Sequence, residues 1–299
     1  MSSYRFCRTD DIGLLVDALN RCWSPYFPDE PPMTPAAFKR SIRDRQVWCS
    51  SCMVAFAGSE PIGVLIGAKR SSSTLIHKLA VHPDHRRQGH GRHLLASLGS
   101  KLAILGPPRI VAEVPETLGA ATELFSACGY VQEARLTDYV WLPVDSHNPS
   151  TGGSSRAMSK DEQVAQSGAS HRGFVIPLTV DDLAANGLLE GNYPQTCWSR
   201  SVETLMARKE EITGLAVASE ERIEAYLLYI KDAEIVSLRT LVEDGGARLN
   251  QLLSRIRAAG MGIRFPKVHS AEIPTALLET LGFRPSGGHR LFAATPRSD

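Results

Sequence analysis

Residues 75–98 read LIHKLAVHPDHRRQGHGRHLLASL, and the fold follows from how this stretch is punctuated. Leu75, His77, Leu79 and Val81 alternate with Ile76, Lys78 and Ala80, the period of a strand, which places His77 on the same face as Leu79 and Val81. His82-Pro83-Asp84 ends that strand, because proline cannot donate to a ladder. Gly89 and Gly91 allow a tight turn and a close approach of the backbone to a ligand. Leu94, Leu95, Leu98 and Leu102 then repeat at helical spacing. The loop amides therefore fall at a helix N-terminus, where unpaired N–H groups and the helix dipole favour an anion. Arg86, Arg87 and Arg92 add positive charge. The spacing is not that of the nucleotide loops Gly-x-x-x-x-Gly-Lys-Ser/Thr or Gly-x-Gly-x-x-Gly.

This strand–loop–helix resembles motif A of the Gcn5-related N-acetyltransferases (the GNAT superfamily), whose pattern is Val-x-Pro-x-x-Arg/Gln-x-x-Gly-x-Gly/Ala. Val81, Pro83, Arg86, Gly89 and Gly91 fill its positions. The resemblance implies acetyl-CoA as co-substrate. Main-chain groups of Leu79 and Val81 would meet its pantetheine arm and acetyl carbonyl, Ala80 between them would also belong to the cofactor site, and Arg86, Arg87, Gln88, Gly89, His90, Gly91 and Arg92 would hold its pyrophosphate. Glu113-Val114, Leu124-Phe125 and Gly129-Tyr130 resemble motif B, best matched by the ribosomal-protein alanine acetyltransferases. There the glutamate is a base and a tyrosine, replaced here by Phe125, is an acid.

An amine with a pKa of about 10 is protonated at neutral pH and must lose a proton before it attacks a thioester. Two residues are candidates for accepting it. Glu113 stands at the end of the strand Arg109–Val114, and His77 stands on the preceding strand. With Phe125 lacking a hydroxyl, Tyr130 and Tyr139 are the candidate acids.

The order of elements around these motifs is that of one GNAT domain over residues 1–144. A strand near Tyr4–Arg8 leads to a helix over Asp10–Arg21, then the loop WSPYFPDEPPMTP and a helix near Ala36–Asp44. Strands Val47–Ala57 and Ile62–Lys69 form a hairpin, and a strand pair around Tyr130–Leu142 closes the domain. Residues 145–172, rich in Ser and Gly, read as a linker. Residues 173–299 repeat the order. Leu249, Leu252, Leu253 and Ile256 echo the first copy, and Ala276–Phe283 echoes Glu123–Tyr130. In place of HPDHRRQGHG the repeat has Glu243-Asp244-Gly245-Gly246-Ala247-Arg248, whose carboxylates repel a phosphate. The expected fold class is thus α/β with mixed sheets (α+β): two tandem GNAT folds, the second degenerate.

Composition agrees with an enzyme of the cytoplasm. The hydrophobic share of 43% and charged share of 22% are ordinary for globular domains. A net charge of +1 argues against nucleic acid or an anionic membrane as partner. No uncharged apolar run reaches the roughly 18 residues of a bilayer span, and MSSYRFCRTDD lacks the apolar core of a signal peptide. The six cysteines are scattered, and Cys49-Ser-Ser-Cys52 lacks a second pair, so no metal site is expected. The acceptor is a primary amine of a small molecule or of a protein or peptide, attacked within a ternary complex. The segments Trp23–Thr34 and Asn192–Trp198 border the acceptor pockets. The chain works as a monomer with an internal pseudo-dimer, or as a homodimer. A non-catalytic acyl-CoA-binding protein is the alternative.

Overall fold

The computed structural model describes residues 2–143, 173–189 and 196–296. The linker expected over 145–172, and Asn192–Gln195 of the second loop, lie outside these residues.

The first copy contributes β1 (Ser2–Phe6), α1 (Ile12–Cys22), α2 (Pro35–Arg45), β2 (Met53–Ala57), β3 (Glu60–Lys69), β4 (Thr74–Val81), α3 (His90–Leu105), β5 (Ile110–Pro115), α4 (Gly119–Ala127) and β6 (Val131–Trp141). The second contributes β7 (Phe174–Leu178), α5 (Val180–Ala185), α6 (Val202–Ala207), β8 (Thr213–Ala218), β9 (Ile223–Ile230), β10 (Glu234–Thr240), α7 (Ala247–Arg257), β11 (Ile263–Val268), α8 (Thr275–Thr280) and β12 (Arg284–Ala294). Local chemistry accounts for several boundaries. The Thr34 hydroxyl accepts from the Ala37 amide and Pro35 opens α2. Thr179 and Asp182 form a reciprocal capping box at α5.

The twelve strands of the described residues form one mixed sheet in the order β1-β2-β3-β4-β5-β12-β6-β11-β10-β9-β8-β7. The order is a palindrome of the two copies except at its centre, where their last strands are exchanged. β12 lies against β5, with Leu291 opposite Glu113, and β6 lies against β11, with Phe265 opposite Tyr139. The strand pair expected around Tyr130–Leu142 is therefore a single eleven-residue strand whose neighbours both come from the second copy. Sequence periodicity reports which face of a strand is buried, not which strand lies beside it. Val47 forms only an isolated bridge to Ala68, and Cys49–Ser51 is a 3₁₀ turn rather than strand.

Helices cover both faces. On one face of the first half, Leu15, Leu19 and Phe38 of α1 and α2 pack with Val64, Leu75 and Ala80. On the other, Leu94, Leu95 and Leu98 of α3 pack with Ile76, Ile110, Ala112 and Phe125. α7 and α8 cover the second half likewise, through Leu249, Leu252, Leu253 and Leu278.

Candidate active site

Strands β4 and β5 run parallel but pair only at Thr74–Ile110 and Leu75–Val111. Beyond those pairs the strands part, and the gap they leave is the centre of the site.

The register of β4 on β3 determines which main-chain groups face that gap. The His82 amide donates to the Ile62 carbonyl at 2.9 Å, which makes His82–Ile62 a hydrogen-bonded pair. Such pairs alternate along an antiparallel ladder. Ala80–Val64 and Lys78–Ile66 are then hydrogen-bonded, whereas Val81–Gly63 and Leu79–Leu65 are not. The N–H and C=O groups of Leu79 and Val81 accordingly turn toward β5, and those of Ala80 are committed to β3. Ala80, assigned to the cofactor site with them, therefore offers the gap no main-chain group. The Val81 carbonyl is already taken by the Tyr26 hydroxyl at 2.6 Å.

A β-bulge interrupts the alternation within β4. Lys78 lies opposite Ile66 and Ile76 opposite Gly67, so His77 is an extra residue without a partner. The bulge moves Leu79 to the α3 face while His77 and Ala80 remain toward α1 and α2. The expectation that His77 shares a face with Leu79 fails for this reason. His77 instead opens on a cavity of about 510 Å³ between α2, the Glu30–Met33 segment and β4. Burial, together with the charges of Arg45, Lys78 and Lys267, holds its imidazole well below the ordinary value, so it is neutral near pH 7.

The loop after β4 presents a bare helix N-terminus. Gly89 caps α3 at φ +84°, with nothing within 4 Å of the place a Cβ would occupy. A left-handed backbone beside open space suits an approaching anion. Gly91 serves packing instead. A Cβ there would lie 2.9 Å from Cδ2 of Leu124, so its absence lets α3 lie close to α4. Arg86, Arg87, Gln88 and Arg92 are exposed, and among the described residues none of the three arginines has a carboxylate partner. The His90 side chain points inward, its Nδ1 2.6 Å from the Tyr4 hydroxyl, so only its amide faces the loop. These residues suit a pyrophosphate: open space over Gly89, free amides and unneutralised guanidinium groups converge there.

Glu113 lies on the α1/α2 face of β5, and its side chain is buried. Its Oε2 is 2.8 Å from Nζ of Lys267 on β11, and its Oε1 accepts from the Trp198 amide at 2.6 Å. Burial alone raises a carboxyl group. The Lys267 charge and these hydrogen bonds outweigh it and hold Glu113 below the ordinary carboxylate range. Both partners belong to the second copy, and sequence reasoning did not find them. Trp198 penetrates the first copy's core: its indole N–H donates to the Arg45 carbonyl at 2.9 Å, and the Arg70 guanidinium lies 3.6 Å from its ring centre. The only sequence signal was an aromatic residue in the second proline-containing loop.

The candidate acids are elsewhere. Tyr139 belongs to the second half's core and its hydroxyl bonds Thr275 at 3.1 Å. Tyr130 and Phe125 pack edge to face, 5.1 Å between ring centres, in the core beneath α3. Among the described residues, Tyr26 is the tyrosine whose hydroxyl reaches a main-chain group at the gap.

The second copy repeats the frame with different chemistry. β10 and β11 pair in parallel only at Glu234–Arg264, and Val236 sits at the bulge, where the first copy has His77. Gly246 caps α7 at φ +89°. The Asp244 carboxylate accepts from the amides of Gly246 (2.9 Å) and Arg248 (2.8 Å), and Arg248 also binds Glu224 at 2.8 Å. The amides that are bare in the first copy are capped here by the chain's own anion.

Comparison with known proteins agrees with this architecture. Residues 48–132 match the family model described as an acetyltransferase (GNAT) domain. No curated protein sequence matches the chain. Among solved structures, a tandem GNAT protein from the clavulanic acid biosynthesis pathway superposes with a TM-score of 0.61 at 17% identity, over 100% of both chains. A GCN5-related N-acetyltransferase from Sphaerobacter thermophilus gives 0.63 at 14% identity, over 99% of this chain and 96% of that one. One from Anabaena variabilis gives 0.60 at 13%, over 99% and 73%. The chain therefore has the mixed α/β fold of these structures, and its residues 48–132 are similar to a GNAT acetyltransferase domain. Among the described residues no helix is long and apolar enough to cross a membrane.

Proposed function

We propose that the protein is an N-acetyltransferase that moves the acetyl group of acetyl-CoA to a primary amine, by direct attack in the β4–β5 gap of the first copy. The observation that carries this reading is the convergence of Leu79's outward main-chain groups with the bare, arginine-rich N-terminus of α3. Bound acetyl-CoA would supply an activated thioester and a good leaving group. The α3 amides and Arg86, Arg87 and Arg92 would hold its phosphates, and the amides of Leu79 and Val81 its arm and acyl oxygen. His77 accepts the amine's proton, because it is neutral and opens on the cavity next to the gap. Glu113, bound to Lys267 and Trp198, is a positioning residue that fastens the second copy behind the gap.

The second copy binds no cofactor in this reading, since Asp244 caps its helix. It stands in place of a partner subunit, and the chain acts as a monomer. Phe125, fixed in the core without a hydroxyl, favours one competing reading, a protein that binds acyl-CoA without turnover.

Calorimetry with acetyl-CoA on the intact chain and on Gly89→Glu tests the proposal. One site per chain, lost in the variant, is expected; no binding, or two sites, would refute it. Acetyl transfer to an amine panel separates the transferase from the non-catalytic reading.

A further inference from the structure

The 510 Å³ cavity beside His77 lies on the α1/α2 face of β4, opposite the face on which α3 packs. Cofactor and acceptor would therefore approach the gap from opposite sides. Given the transferase reading, on which this rests, the cavity constrains what the acceptor must carry.

The cavity wall holds carboxylates and cations from both copies, and most neutralise one another. Glu30 binds Lys78 at 3.1 Å. Asp44 binds Arg43 at 2.5 Å, and Arg43 also reaches Glu211 at 3.6 Å. Glu211, from the second copy, binds Arg208 at 3.3 Å. Once these pairs are formed, Arg40 and Arg45 are left. Both line the cavity, both are exposed, and among the described residues neither guanidinium has a carboxylate partner. Both belong to α2, and Arg45 lies close enough to His77 for its charge to help hold the imidazole low. Among the described residues the unneutralised charge lining the cavity is thus positive, although the reacting group expected there is an amine.

An ammonium alone has no reason to enter such a cavity. An amine that also carries an anion does, because a guanidinium binds a carboxylate or a phosphate through paired N–H groups. We infer that the acceptor is a small primary amine bearing an anionic group, carboxylate or phosphate, with Arg40 and Arg45 reading the anion while His77 faces the amine. The second copy would then help set specificity, since Arg208 and Glu211 complete the wall.

The test uses matched amines on the full chain, with coenzyme A release measured by chromatography. L-Amino acids are compared with their carboxamides, and phosphoethanolamine with ethanolamine. The anionic member is expected to have a kcat/KM higher by about tenfold or more, as one well-formed charged contact requires. A preference confined to the first pairing assigns a carboxylate, and one confined to the second a phosphate. Arg40→Gln and Arg45→Gln should raise KM for the anionic member and leave acetyl-CoA binding unchanged, while Arg45→Lys keeps part of the preference. Equal use of neutral members, no effect of either Gln variant, or no turnover of any member despite cofactor binding would overturn the inference. Absence of acetyl-CoA binding would instead refute the transferase reading on which it rests.

Discussion

Glu113 on β5 and Lys267 on β11 form a 2.8 Å ion pair that joins the two copies behind the candidate active site. Lys267 holds a left-handed backbone conformation, φ +54°, and its amide donates to Asp138 of β6 at 2.8 Å. Its carbonyl and that of Pro266 accept from Arg200, whose guanidinium binds Glu272 at 2.7 Å. Glu113, one of the two candidate bases, is thus also the end of a polar chain running through the second copy.

Glu113→Gln keeps an acceptor for the Trp198 amide but leaves the Lys267 ammonium without its counter-charge. A stability loss of roughly 3 kcal/mol is expected, near the lower bound for breaking a buried pair, because 29% of the Lys267 side chain remains exposed. Glu113→Leu with Lys267→Met should recover most of it. Denaturant unfolding measures this, and the double variant also decides the role. Retained acetyl transfer makes Glu113 a positioning residue, whereas a stable but inactive protein makes it the base.

In the second copy, Asp244→Ala removes the cap of α7, and a loss of about 1 kcal/mol is expected. The freed amides still lack the exposed arginines of the first copy, so the calorimetric stoichiometry with acetyl-CoA should stay at one. A second site in this variant would show that Asp244 alone separates a silent copy from a binding one.

Much of this architecture was legible in the sequence, and the exceptions share a cause. Pro83, Gly89 and the leucines of α3 announce strand, turn and helix through strong local preferences, and the repeat after residue 173 follows the same rhythm. Three features were not legible. The bulge at His77 is a matter of register against β3, and a one-residue slip reverses facing. The exchange of β6 and β12 depends on which edge each strand meets after a long connection. Trp198 and Lys267 reach Glu113 from 85 and 154 residues away. Local pattern carries none of these long-range choices.

The two glycines of the loop should respond differently to substitution. Gly89→Glu places a carboxylate in open space over the α3 amides and strains a left-handed residue. It should abolish acetyl-CoA binding with a modest loss of stability. Gly91→Val drives a branched side chain into Leu124 and should cost about 1–3 kcal/mol through overpacking. Calorimetry and thermal unfolding on both variants check the contrast. Equal loss of binding with unchanged stability in both would show that Gly91 also touches the ligand.

His77 gives a pH signature with a definite sign. Its folded value lies well below the ordinary 6.5, through burial and through Arg45 and Lys78 beside it and Lys267 across the gap. Below pH 6.5 the unfolded chain therefore binds a proton that the folded chain does not. The stability associated with neutral His77 is complete above pH 6.5 and is lost progressively as the pH falls toward the folded value. His90 and His289 are also held low and act with the same sign, His289 despite Asp138 at 3.4 Å. His77→Gln should remove one of these three contributions, lowering the slope of stability against pH by up to about 1.4 kcal/mol per unit. If His77 accepts the amine's proton, the same variant should lose about a hundredfold or more in kcat with acetyl-CoA affinity intact. A shallower stability slope with undiminished kcat would leave His77 as a buried neutral side chain of the bulge and return the proton to water in the gap.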